Sequence, residues 1–272
     1  MRVRSFRSGS SGNALLIQSG GRAILVDAGG SIRRLTSYLL EAGVHPGQLA
    51  AILLTHEHSD HIAAAAAVAK SFDAPVIANA ATLAAARLGG SSSQVLPTGQ
   101  TIDFGETPAA PAIAVTSFGI SHDCAEPVGY VVRSGGWSVA IATDLGFASV
   151  SVVEAMRGAD LLVLEANHDI DLLRQGPYPA HLKRRILSER GHLSNEQAAE
   201  VAIAALGGRP QRFWLAHLST ENNHPTLARQ AVARALAGAR ADESEVEVLD
   251  RLRPGPVFDT SLLASQPRLF PT

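Results

Sequence analysis

The chain has 272 residues, 46% of them apolar and 18% charged, which is the composition of an ordinary soluble globular domain with a large core. Its formal net charge of −2 excludes a global polycation, so nucleic acid can be met only through a local basic patch. The single cysteine, Cys124, excludes an intrachain disulfide framework, and the apolar run 62–69 is far shorter than the ~18 residues of a membrane span. The arginines of residues 1–7 are not followed by an apolar export segment, so the cytoplasm is the expected location. Lys70 and Lys183 are the only lysines; 21 of the 23 basic residues are arginine.

In chain order, residues 2–7, 14–18 and 22–26 read as short strands, separated by the glycine-serine turns 8–13 and 19–21. Residues 32–42 have helical periodicity and stop at Gly43. A buried strand at 50–55 precedes an alanine-rich helix at 61–70, a strand at 75–78 and a helix at 80–88. Strands follow at 94–96, 101–104, 112–118, 129–133 and 138–142. A helix at 150–156 leads to a buried strand at 161–165, then to helices at 182–189 and 194–205. The chain continues through a strand at 213–216, a helix at 225–237 and a strand at 246–249. From Arg253 the Pro-rich tail reads as irregular. Strands lead each half with helices interspersed, which predicts an α/β sandwich rather than a doubly wound open sheet. One domain is expected over 1–250, with a tail over 251–272 packed on it or trailing from it.

The decisive segment is Ile52-Leu53-Leu54-Thr55-His56-Glu57-His58-Ser59-Asp60-His61. An apolar strand ends, and metal-capable side chains crowd the next six positions. Imidazole and carboxylate suit Zn²⁺, Mn²⁺ or, less well, iron. Alternation at the strand end puts His56 and His58 on one side, and Asp60 and His61 follow on the turn into a helix, placed for a second ion. The bland alternative is a polar loop rich in histidine by chance. Three further segments sit at predicted strand ends, where an α/β site belongs: Ser121-His122-Asp123, Thr143-Asp144-Leu145 and Ala216-His217-Leu218.

This HxHxDH segment with its three later partners resembles the metallo-β-lactamase superfamily, whose fold is a four-layer αβ/βα sandwich. The resemblance implies two divalent ions, Zn²⁺ or Mn²⁺. His56, His58 and His122 would hold one, Asp60, His61 and His217 the other, and Asp144 would bridge. It also implies a hydroxide shared between ions ~3.5–4 Å apart, aimed by Asp60. Relatives that carry a redox di-iron site tend to have glutamate at the position of His58, so hydrolysis is favoured.

Two segments resemble the nucleases of that superfamily. Gly191-His192-Leu193-Ser194-Asn195 resembles a segment whose histidine assists catalysis, and Glu165 would brace it. His192 would then protonate the leaving oxygen. With Ser8-Gly9-Ser10-Ser11-Gly12-Asn13, Glu165-Ala166-Asn167-His168-Asp169 and His217-Leu218-Ser219-Thr220-Glu221-Asn222-Asn223, the set resembles the bacterial YycJ/VicX (WalJ) group. That implies a DNA exonuclease running 5′ to 3′. An RNA-processing nuclease of the same fold, or a hydrolase of thioesters or lactones, stays open. Only 22 residues separate His122 from Asp144 and 73 separate Asp144 from His217, too few for a tRNA-gripping arm or an inserted β-CASP domain. Ser10, Ser11, Asn13, Ser194, Asn195 and Asn222 are candidate substrate contacts. Lys183, Arg184 and Arg185 are a candidate phosphate grip, or simply a solvated helix face; Ser194 also reads as a helix N-cap. Tyr178 either stacks on a base or packs.

Overall fold

The computed structural model describes residues 1–90, 92–105 and 112–264. Two seven-stranded sheets face each other. The first contains β1 (Arg2–Arg7), β2 (Ala14–Ser19), β3 (Arg22–Val26), β4 (Leu49–Leu53), β5 (Val76–Ala78), β6 (Ser93–Val95) and the late strand β14 (Val257–Asp259), in the order β14-β1-β2-β3-β4-β5-β6. The second runs in reverse chain order from β13 (Glu245–Val248) through β12 (Arg212–Ala216), β11 (Leu161–Glu165), β10 (Trp137–Ala142), β9 (Val128–Ser134) and β8 (Ile113–Gly119) to β7 (Thr101–Phe104). Each sheet has three antiparallel pairings followed by three parallel ones.

The strand sequences explain the layering. They are apolar on both faces, as strands covered on both sides must be. Ile17, Ile24 and Leu53 face Val139, Ile141, Leu161 and Val163 between the sheets. Their neighbours Leu16, Leu25 and Ile52 point outward onto α1 (Ile32–Glu41) and α3 (Ala65–Phe72), meeting Leu35, Leu39, Val68 and Phe72. Across the molecule Ala140, Leu162, Leu164 and Phe213 meet α5 (Val150–Met156), α8 (Asn195–Ala204) and α9 (Pro225–Gly238). This is the expected helix–sheet–sheet–helix sandwich. Among the described residues no helix is long and apolar enough to cross a membrane.

Three expectations change. The helix expected over 61–70 is split into α2 (Ser59–Ile62) and α3, because Ala28 takes the His61 carbonyl with its N–H and gives its own carbonyl to Ala64 N. A short helix, α6 (Ile170–Gln175), follows β11, started by Asp169, whose carboxylate accepts from the Asp171 and Leu172 N–H groups. The stretch from Arg253, expected to be irregular, contributes β14, which pairs antiparallel with β1, and a final turn of helix, α10 (Thr260–Ala264). Two more helices complete the list: α4 (Ala80–Ala85), shorter than expected, and α7 (Ala180–Ile186).

Candidate metal centre

The parallel strands of both sheets deliver their C-terminal ends to one place. Thr55, His56, His58, Asp60 and His61 follow β4, and Asp27 follows β3. Asp144, Glu165 and His217 end or follow β10, β11 and β12, and His122 follows β8. Asp27, Asp144 and His217 adopt left-handed backbone, with φ of 58°, 57° and 55°. That conformation is uncommon for non-glycine residues and turns each side chain inward at the strand end.

Donor atoms gather in overlapping sets. His56, His58 and His122 form one, Asp60, His61 and His217 a second, and Asp144 joins His56 and His61 in a third; within each set the atoms lie within 4.8 Å of one another. Asp144 sits between the first two: Oδ2 is 3.1 Å from His61 Nε2, and Oδ1 is 3.4 Å from His217 Nδ1 and 3.9 Å from His122 Nε2. Asp60 Oδ2 is 3.5 Å from His217 Nε2 and 3.6 Å from His61 Nε2. All seven residues expected as ligands are thus brought together.

Four imidazoles are each held at Nδ1 by an oxygen, which leaves Nε2 for an ion. His56 is held by Thr55 Oγ1 at 3.0 Å, His61 by Asp27 Oδ2 at 2.7 Å, His122 by the Gly191 carbonyl at 3.1 Å and His217 by Glu165 Oε1 at 3.0 Å. Asp27 and Thr55 were not anticipated from the sequence. Asp27 also accepts from the Thr55 N–H and hydroxyl. Its signal was present: a carboxylate straight after an apolar strand, as at Asp144. Glu165 braces His192, as expected, with Oε1 2.8 Å from Nδ1. It does more: Oε1 also holds His217, and Oε2 accepts from the Leu145 and Leu193 N–H groups.

The electrostatics and the orphaned atoms both fit cations. His56 Nε2, His217 Nε2 and Asp144 Oδ2 are buried with no hydrogen-bond partner. Such atoms are costly unless a ligand completes them. Burial opposes charge on His217, yet Asp144, Asp60 and Glu165 raise its pKa to about 10. Burial likewise opposes charge on His61, and Asp27 and Asp144 lift it well above its usual value. Burial opposes ionisation of Asp144, but His217 and His61 hold it well below the carboxylate range. His56 and His122 are pushed down, because for them burial outweighs the neighbouring carboxylates. The carboxylates therefore demand positive charge in their midst, which divalent ions supply in place of protons. A site able to bind two divalent metal ions is present, and its imidazole and carboxylate donors suit Zn²⁺ and Mn²⁺ alike.

Beside the centre lies a cleft of about 180 Å³ lined by Ser10, Asp123, Asn167, Tyr178, Arg185, His192 and Ser219, among others. His192 is partly exposed here, with Nδ1 taken by Glu165. Burial lowers its proton affinity, and Glu165 more than restores it, so its pKa lies above the ordinary imidazole value. Arg185 pairs with Asp123, Lys183 donates to the Arg174 carbonyl at 2.6 Å, and Arg184 is exposed. Ser11 is exposed and accepts from Arg7.

The expectation that Asn13, Ser194, Asn195 and Asn222 touch substrate meets a different arrangement. Asn13 is buried beneath the ligands, its Nδ2 3.3 Å from Asp60 Oδ2 and 2.9 Å from His61 Nε2. Ser194 is spent on a capping box with Gln197, and Asn195 on reciprocal bonds with Asn223. Asn222 is fully buried and gives its carbonyl to Asp169 N. His168 is buried as well, with neither ring nitrogen bonded among the described residues. Cys124 is half-buried, and burial pushes its thiol up to about 12.

Residues 22–218 match the family described as the beta-lactamase superfamily domain. The chain is 39% identical over 239 residues to the exodeoxyribonuclease WalJ of Streptococcus pneumoniae, covering 85% of this chain and 87% of that one. It is 39% identical over 232 residues to the exodeoxyribonuclease YycJ of Bacillus anthracis, covering 84% and 86%. Among solved structures, the metallo-β-lactamase fold protein YhfI of Bacillus subtilis superposes with a TM-score of 0.69 at 19% identity, covering 95% of this chain and 99% of that one. With the fold, the clustered donors and these relatives in agreement, the chain belongs to the metallo-β-lactamase superfamily, as a metal-dependent hydrolase related to the YycJ/WalJ exonuclease-like proteins.

Proposed function

We propose that the protein is a two-metal phosphodiesterase acting on nucleic acid, specifically an exodeoxyribonuclease that runs 5′ to 3′. The observation that carries this reading is His192, held by the buried Glu165 at the mouth of a cleft beside the donor cluster. A hydrolase that attacks phosphodiesters needs an acid for the departing oxygen, whereas the thiolate of a thioester departs without one. The names of the two 39%-identical relatives support DNA as the substrate.

In this reading His56, His58 and His122 would hold one ion and Asp60, His61 and His217 the other, with Asp144 available to both. Bound divalent ions supply Lewis acidity and a nucleophile at neutral pH. The chain's own residues do the rest. Asp60, fixed by Asn13, accepts a hydrogen bond and so orients the attacking water. His192 carries a proton at Nε2 while Nδ1 donates to Glu165, and it delivers that proton to the leaving oxygen. Arg185 and Ser10 face the phosphate, and Tyr178 offers a ring for a base to stack on.

The test is hydrolysis of 5′- and 3′-labelled DNA and RNA, beside a thioester, by protein loaded with Mn²⁺ or Zn²⁺. Stepwise loss from the 5′ end of DNA is expected. His192→Ala should keep both ions and lose roughly 10²–10⁴-fold in turnover on DNA, but much less on a nitrophenyl phosphodiester, which needs no proton on departure. Turnover of the thioester alone would overturn the reading, and loss of an ion in His192→Ala would make that residue a ligand.

A further inference from the structure

The loop 8–13 has two sides. One faces the metal centre and the cleft: Ser8 Oγ accepts from His217 N, Asn13 bonds Asp60, and Ser10 lines the cleft. The other side lies against arginines. The Arg7 guanidinium is wedged between Gly12 and Gly30, so closely that a Cβ at Gly30 would stand 2.2 Å from Nη1. The Arg251 side chain packs on Gly9, and its segment is tied to the loop by Ser8 N donating to the Asp250 carbonyl at 3.1 Å.

These arginines lack anions. Arg7 is 6% exposed, its Nε has no partner, and its one side-chain bond among the described residues is to Ser11 Oγ at 3.1 Å. Arg251 Nε is also buried without a partner. No ion pair of Arg7, of Arg251 or of the exposed Arg34 in the first turn of α1 occurs among the described residues. A buried guanidinium is normally paired. Burial and the charges of Arg34 and Arg251 all lower the proton affinity of Arg7, and the only counter-effect comes from Tyr38. The cluster also faces the start of α1, which follows Gly29-Gly30-Ser31. The Ser31 side chain makes no capping bond, and the first turn of this ten-residue helix has no acid. Free N–H groups at a helix start favour an anion.

We propose that Arg7, Arg34, Arg251 and the start of α1 form a second phosphate site, which holds a backbone phosphate of the same strand beyond the scissile one. The site rests on the nuclease reading for its choice of ligand. A strand that leaves the cleft past Ser10 crosses the loop and meets the arginines on its other side. The loop's glycines serve this arrangement: Gly9 and Gly12, with φ of 145° and 147°, let the backbone run between the two sites without side chains in the way. In this arrangement Arg185, already paired with Asp123, supplies less of the grip than the 183–185 segment suggests.

The test is the double variant Arg34→Ala, Arg251→Ala, because Arg7 fills a buried slot whose loss can unfold the loop. Binding of a phosphorothioate single strand is followed by fluorescence anisotropy across a salt series, with metal content measured alongside. The double variant should keep its ions, bind roughly tenfold more weakly at low salt, and lose about 0.7 from the slope of log K against log salt, the value for one phosphate contact on a single strand. Inorganic phosphate should raise the melting temperature of the parent protein more than that of the variant. An unchanged salt slope overturns the proposal, even in a protein that degrades DNA as expected. A phosphate-dependent shift with unchanged strand binding also overturns it, because the site then takes free phosphate. If the parent protein cleaves no DNA, the nuclease reading falls, and the salt slope still decides whether the arginines bind a strand.

Discussion

Replacing Glu165 by Gln preserves shape and deletes only charge and one acceptor, so its effect can be worked from the bonds. Four donors point at the carboxylate: His192 Nδ1 and His217 Nδ1 at Oε1, and the Leu145 and Leu193 N–H groups at Oε2. The carboxyl is fully buried; burial would raise its pKa, but His192 and His217 hold it at about 2. An amide accepts at one end only. If its nitrogen faces the two backbone N–H groups, two buried donors lose their partner, at ~1–3 kcal/mol each, for a total of about 2–6 kcal/mol. If it faces the imidazoles, both rings must accept at Nδ1 and carry hydrogen at Nε2. His217 then presents a proton where it should present a lone pair, and metal affinity falls by roughly 10–100-fold, the usual effect of losing such a support. The variant therefore loses stability or loses metal. Urea unfolding of the metal-free protein reads the first, and chelator competition with elemental analysis reads the second. A variant within about 0.5 kcal/mol of the parent protein that also binds both ions with unchanged affinity would refute the reasoning.

Asp27→Asn should lower metal affinity by about 10–100-fold, because the amide either turns its nitrogen to His61 and fixes the wrong tautomer or turns it on the Thr55 N–H, which then loses its acceptor; competition with a chromophoric chelator measures this, and unchanged affinity would count against the role of Asp27. Gly29→Ala should destabilise the protein by about 3 kcal/mol or more, since its Cβ would stand 1.6 Å from the Asp60 carbonyl and 2.6 Å from Asn13 N. Thermal unfolding and metal content should both suffer, and a variant that melts with the parent would show that the loop yields freely.

The layers were legible because β3, β4, β10, β11 and β12 are apolar on consecutive positions, a pattern only a doubly covered strand keeps. The donors other than His122, which follows the alternating strand β8, were legible because they follow such strands. Asp27 obeys the same rule but stands alone, without a second polar neighbour to mark it. What strand-by-strand reading cannot supply is which side chains meet across the sandwich. Nothing near Glu165 in the sequence shows that it also holds His217, 52 positions away. The same holds for Asn195 and Asn223, whose mutual bonds use up the groups that looked available to substrate. The break between α2 and α3 follows from Ala28, a partner more than thirty residues upstream. The β14–β1 pairing is not legible in the sequence, because three residues among prolines carry too little periodicity.

The split of the donors between two sheets bears on how the chain is made. His56, His58, Asp60 and His61 leave the ribosome with the first sheet, while His217 follows only about 160 residues later, roughly 8–30 s at typical elongation rates of ~5–20 residues/s. Early in that interval the nascent first half displays three histidines without the carboxylates at Asp144 and Glu165, and the inner face of β1 to β4 has no complete second sheet to cover it. An ion caught early would be held by part of its final donors and open to exchange. Selection of the resident metal therefore belongs to the finished molecule, after β10 to β12 have docked, and β1 waits longest of all, since its edge partner β14 is among the last segments synthesised.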